Sequence, residues 1–279
     1  MRKQFIKSKS GLLPGIMMLL VLMVSGCENL NDPGPAEFNN SLLFNLVVNS
    51  RESQSVYIYR TAQLSEWTYG SYFWSNNWLD AFDKRFDYLF VQDAGVYLSG
   101  PNSDPVQFTV KTDSLYRNKY VGPENFKPEP MKEYILSVKA NKQQFTGRTF
   151  TPGDFNILMP EEGHVFTAAG YAYDLNILWT SSPRAAGYIV KIKPLAKSSS
   201  KWDNTILYRD IKADTSFSYH YDLYLMPSLD SCKVEVYAYD KNYYAHVHGK
   251  DDCAGLSGAY GFFSSSVLKS IKIKFQKIR

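Results

Sequence analysis

From Leu42 to the C-terminus the chain is built of short runs in which apolar and polar residues alternate, each cut by a turn signal. Ser55-Val56-Tyr57-Ile58-Tyr59-Arg60, Ala94-Gly95-Val96-Tyr97-Leu98-Ser99 and Tyr134-Ile135-Leu136-Ser137-Val138-Lys139 are examples. A period of two sends successive side chains to opposite faces of a strand. Asn102-Ser103-Asp104-Pro105 and Gly122-Pro123 punctuate the runs. Strands this short, joined by turns, predict an all-β fold made of antiparallel sandwiches or barrels. The chain is 44% apolar and 15% aromatic, enough to bury a core and to exclude disorder. Its 279 residues suit one large or two small domains.

One segment breaks the strand pattern. Between Tyr57 and Phe90 there are 12 aromatic residues in 34. Trp74, Trp78, Phe82 and Phe86 recur every four residues with Asp80, Asp83, Lys84 and Asp87 between them, the spacing of one helix face. Residues 61–90 are therefore read as a short aromatic helical insert. Its rings either pack on the sheet or present a surface for a partner or ligand, with Trp67, Tyr69, Trp74, Trp78, Phe82 and Phe86 as the candidate contacts.

The formal charge of +4 is misleading. Residues 1–26 hold four of the 31 basic residues and no acid; the remaining 27 balance the 27 acids. Nucleic-acid binding, which needs concentrated Lys and Arg, is excluded as a reading. The N-terminus instead has the parts of an export signal: a cationic start, an apolar run from Leu12 to Val24, then Val24-Ser25-Gly26-Cys27. The run is too short to span a bilayer. Its ending resembles a bacterial lipobox, which implies a signal peptide over 1–26 and a covalent lipid, such as palmitate, on Cys27. Acyl chains give firm anchoring, each buried CH₂ contributing about 0.8 kcal/mol. Glu28 follows, and by the same resemblance carries no inner-membrane retention signal; residues 27–41 read as a polar tether. The expected location is the outer membrane, on its periplasmic or cell-surface side.

Two units are expected after the tether: 42–150, carrying the aromatic insert, and 151–279. In the second, Trp179, Pro183, Gly187-Tyr188 and the Val234-x-Val236-x-Ala238 strand are placed as in a fibronectin type III domain, which this half resembles. The chain departs from that pattern at Cys232, where the family has a corner Tyr, and in its glycine-rich Gly255–Ser266 segment. The resemblance implies two immunoglobulin/fibronectin-like antiparallel β-sandwich units, with the aromatic insert in the first.

Motifs for chemistry are sparse. Gly255-Leu256-Ser257-Gly258-Ala259 lacks the last glycine of a nucleophile elbow. His246 and His248, two apart, would share one face of a strand and, with Asp251, Asp252 and Cys253, could bind a metal; a surface loop with chance histidines is the alternative. Cys232 and Cys253 would either pair, as an exported chain permits, or remain free thiols. A disulfide closing about 21 residues would stabilise by roughly 3 kcal/mol.

The whole order resembles a family of Bacteroidota lipoproteins with a domain of unknown function, found beside TonB-dependent receptors. The residues that carry it are Val47-Val48-Asn49, Ala94 to Leu98, Tyr134 to Val138, Thr151-Pro152 and Gly258-Ala259-Tyr260-Gly261-Phe262-Phe263, after the lipobox. The resemblance implies a non-enzymatic lipoprotein, accessory to a TonB-dependent receptor barrel in nutrient uptake. Carbohydrate binding and surface adhesion are the alternatives. No cofactor is expected beyond the lipid on Cys27.

Overall fold

A computed structural model describes residues 40–60, 89–101, 103–112, 118–140, 142–168, 172–195, 207–211, 214–222 and 231–277. The strands of the first half are β1 (Asn40–Val48), β2 (Ser55–Arg60), β3 (Gly95–Ser99), β4 (Val106–Thr112), β5 (Asn118–Val121), β6 (Glu133–Ala140) and β7 (Gln143–Phe150). Next come β8 (Ile157–Met159), β9 (Val165–Ala168), β10 (Ala172–Trp179), β11 (Gly187–Pro194), β12 (Leu207–Ile211), β13 (Ser216–Asp222) and β14 (Ser231–Tyr239). A helix, α1 (Lys241–Val247), precedes two two-residue strands, β15 (Cys253–Ala254) and β16 (Leu256–Ser257). The chain closes with the 18-residue β17 (Tyr260–Lys277). The fold is all-β, as the alternation requires.

A 14-stranded sheet follows the path β12-β11-β14-β17-β1-β2-β5-β4-β3-β6-β7-β16, with β9 and β15 added on β17, and β8, β10 and β13 form a second sheet of three strands. In the first half the sheet curls over its own core. Phe44 on β1 stacks on Phe263 of β17 (ring centroids 5.1 Å) and meets Phe108 of β4 edge-on at 5.7 Å. Leu42, Leu46, Val56, Ile58, Val96, Leu98, Leu136 and Val138 fill the same core. These are the inward members of each alternating run, so local period sets the burial directly.

In the second half, the three-stranded sheet packs across from β12, β11, β14 and the end of β17. Leu175, Ile177, Trp179, Val190, Val234, Val236, Ile271 and Ile273 lie between the layers. β8, β10 and β13 against β11, β12, β14 and β17, with β9 added on the free edge of β17, is a fibronectin type III-like β-sandwich arrangement. Trp179 sits at the end of β10 with its ring 5.3 Å from that of Tyr188, whose hydroxyl accepts a hydrogen bond from the Ser182 N–H at 2.8 Å.

β17 belongs to both halves. One edge pairs in parallel with β1 and then β9; the other pairs with β15 and then, antiparallel, with β14. On its inward face Phe263 enters the first core and Val267 the second. Ser265 stands between them, fully buried.

Candidate functional site

Cys27 and all six aromatic residues singled out from the sequence (Trp67, Tyr69, Trp74, Trp78, Phe82 and Phe86) lie outside the described residues. No helix among the described residues is long and apolar enough to cross a membrane.

Two expectations are corrected. Cys232 and Cys253 form no disulfide. Cys232 on β14 is opposite Ile273, and Cys253 on β15 is opposite Gly261, both positions being on β17. Twelve strand residues separate those partners, roughly 40 Å at 3.3 Å each. A disulfide tolerates a Cα separation of no more than about 7 Å, so this fold cannot bridge the pair. Cys232 fills the place of a corner ring in the second core, and burial pushes its thiol up to about 12.

His246 and His248 are not on a strand. His246 is in α1 and His248 is its C-cap. Two residues of helix turn the direction by about 200°, so the rings diverge. The His246 ring lies 4.6 Å from Phe262 and the His248 ring 4.3 Å from Tyr244. Burial holds the His246 imidazole below its ordinary pKa against the pull of Asp252 and Asp251. Among the described residues no three His, Cys, Asp or Glu side chains are placed to hold a metal ion.

Two buried polar clusters are structural in character. Asp240 caps α1 by accepting the Tyr243 N–H at 3.0 Å through Oδ1. Its Oδ2 accepts from Thr149 Oγ1 on β7 and from Ser265 Oγ at 3.2 Å. Asn242 Nδ2 donates to the Arg148 and Phe263 carbonyls at 2.8 and 2.9 Å, tying β7 to β17. On β14 in the second half, Glu235 is 2% exposed and bridges Lys233 at 2.6 Å and Lys193 at 2.9 Å. The Tyr237 hydroxyl also donates to it at 3.0 Å.

Among the described residues a feature open to solvent lies in the first half. A shallow cleft of about 650 Å3 is lined by Asp93, Lys139, Ala140, Lys142, Gln143 and Gln144. Asn40, fully buried, donates from Nδ2 to Gln143 Oε1 at 3.0 Å and fixes that wall. Beside the cleft, Tyr97 is 36% exposed on the outer face of β3. A Cβ built on Gly95 would fall 3.3 Å from Tyr97 Cε2 and 4.0 Å from its hydroxyl. The ring thus lies along the sheet, over the position that glycine leaves bare. Directly opposite Tyr97 are Gln107 and Ser137, and opposite Gly95 is Lys139 of the cleft. Sequence reasoning passed over Tyr97. The usable signal was a glycine two residues before an outward-facing tyrosine, because that spacing puts both on one face of a strand.

No protein-family model matches the chain, and no curated protein does. Among solved structures the chain is similar to the FN1–FN3 domains of chicken CNTN1, at 11% identity over 82% of this chain and 65% of that one, with a TM-score of 0.22. It is also similar to a structure concerned with host cell surface retention of a 1.5-MDa bacterial ice-binding adhesin, at 10% identity over 88% and 67%, TM-score 0.25. A third is CBD12 from CALX1.2, at 9% identity over 84% and 99%, TM-score 0.24. The chain spans less than two thirds of the length of the CNTN1 fragment. Its all-β class rests on its own strands.

Proposed function

We propose that the chain is an outer-membrane-anchored lipoprotein that works without catalysis, as an accessory or binding component of a TonB-dependent nutrient uptake system. The observation that carries the anchor is Val24-Ser25-Gly26-Cys27 at the end of an apolar run preceded by basic residues. The family resemblance carries the receptor partner. The use of ionisable groups supports a binding role: Asp240 and Glu235, the most buried carboxylates described, are held by structural hydrogen bonds and ion pairs rather than aimed at a cleft. A carbohydrate-binding surface lipoprotein is the second reading, favoured by the exposed Tyr97 and its polar cleft.

The test is metabolic labelling with a clickable palmitate analogue, followed by mild-detergent pull-down of the native protein. Label on the wild type and none on Cys27→Ala is expected, together with co-recovery of a β-barrel receptor. An unlabelled wild type overturns the anchor. A labelled protein recovered with no barrel overturns the accessory role.

A further inference from the structure

We propose that the Tyr97 face of β3 and the adjoining cleft form a glycan subsite, with the ring stacking under a sugar of a neutral polysaccharide and the cleft side chains holding its hydroxyls. The inference deepens the binding role proposed above and rests on the chain being a binding protein.

A pyranose presents C–H groups on one face and hydroxyls around its rim. A site for it needs a flat, exposed apolar surface with donors and acceptors beside it. Tyr97 supplies the surface. Its ring has collapsed over Gly95, so one face is against the backbone and the other is free. Any larger residue at 95 would lift the ring off the sheet. Ile135, 41% exposed on the same face of neighbouring β6, extends the apolar strip by one side chain.

The rim chemistry is supplied from both sides. Gln107 and Ser137 are opposite Tyr97, one on each neighbouring strand. Beyond Gly95 the register runs to Lys139 and then to Gln144, which is opposite Lys139 on β7. Both line the cleft, where Asp93 adds an acceptor. The buried Asn40 donates to the carbonyl oxygen of Gln143 and so orients that carboxamide at the cleft, with its NH₂ available as a donor to a ligand. The cleft's volume of about 650 Å3 is that of a small-ligand site. A carboxylate, two ammonium groups and two carboxamides around one depression suit a ligand that both donates and accepts at many points. They suit a protein partner poorly, because Lys and Ser are depleted from the centres of protein interfaces.

The test is affinity electrophoresis of the full chain in mild detergent, through gels containing dextran, xyloglucan, mannan or laminarin. Retardation in at least one gel is expected. Tyr97→Ala should weaken it roughly tenfold, the scale of one lost aromatic contact. Tyr97→Phe should keep it, because stacking needs the ring and not the hydroxyl. Gly95→Val should weaken it without removing any contacting group. Tyr97→Thr, suited to an exposed strand position, replaces Tyr97→Ala if the latter fails to fold. Wild-type mobility unchanged in all four gels overturns the proposal, as does Tyr97→Ala or Tyr97→Thr binding as tightly as wild type. Retardation by polygalacturonate alone, abolished by salt, also overturns it by assigning the cleft to charge. Palmitate labelling is independent of Tyr97, so failure here leaves the anchor standing.

Discussion

Asp240, at the entrance to α1, and Thr149, on β7, share a hydrogen bond between the two cores, where neither side chain reaches solvent. Ser265 joins both, donating to Asp240 and lying 2.9 Å from Thr149 Oγ1. The seam where β17 passes from one core to the other is thus polar and closed by hydrogen bonds. Buried polar groups of this kind are stable only when every partner is present.

Burial raises the Asp240 pKa from 3.8 to about 6, against the lowering effect of hydrogen bonds from Thr149, Tyr243 and Ser265. The folded state therefore holds this proton more tightly than the unfolded chain. Its stabilising contribution is complete below pH 4 and is lost as pH rises towards 6. Two pH units correspond to about 3 kcal/mol at most. His246, held low by burial, acts the other way and costs stability as pH falls through its ordinary value of 6.5. Comparing wild type with Asp240→Asn cancels the histidine. In urea unfolding, the wild-type advantage should shrink from pH 4 to 6 and then level. A difference independent of pH would remove the assignment.

The local part of the architecture was legible in the sequence. Alternation at Ser55–Arg60, Tyr134–Lys139 and Val234–Ala238 returned strands with the expected inward faces, because a period of two is a property of neighbours. What failed depended on partners far along the chain. His246 and His248 read as a strand pair; in fact Asp240 caps a helix there and Tyr243 packs on Tyr239 at 4.9 Å. The Gly255–Ser266 segment read as an atypical tail, yet its second half is β17, held in parallel register by β1 from more than 200 residues away. Sequence distance between Cys232 and Cys253 gave no warning that their strands leave β17 at opposite ends.

The two thiols should therefore behave independently. Native protein treated with a maleimide should gain one adduct at the half-buried Cys253 and none at Cys232, which is fully buried with its thiol held protonated. Both should react in urea without any reductant. Peptide mass mapping reads each site, and a Cys232–Cys253 cross-linked peptide would contradict the register of β17.

Glu235 separates two lysines placed directly opposite each other, Lys193 and Lys233. Like charges in that position are destabilising. Burial alone would raise the Glu235 pKa, but hydrogen bonds and charge from Lys233 and Lys193 outweigh it and hold the carboxyl below its ordinary value. The contribution is present at neutral pH and is lost as pH falls through the acid range, opposite in sign to Asp240. Glu235→Gln should cost about 2 kcal/mol at pH 7, less than a fully buried pair because the lysines are about a third exposed. The penalty should diminish towards pH 3. A penalty that grows on acidification would assign the stabilisation to something other than this ion cluster.

The parallel pairing of β1 with β17 depends on Gly261. Its φ is +100, and a Cβ there would fall 2.1 Å from the Leu42 carbonyl oxygen, with β15 against its other edge. Neither neighbour can retreat, since Leu42 is fully buried in the first core. Gly163 is the control: its φ is +79, but nothing lies within 4 Å of the same added atom. Gly163→Ala carries only the backbone penalty, about 1 kcal/mol. Gly261→Ala adds a backbone clash and should cost on the order of 3 kcal/mol or more. Urea midpoints measured side by side should place Gly261→Ala well below Gly163→Ala. Equal midpoints would mean that β1 does not run against β17 in this register, and the shared strand would have to be redrawn.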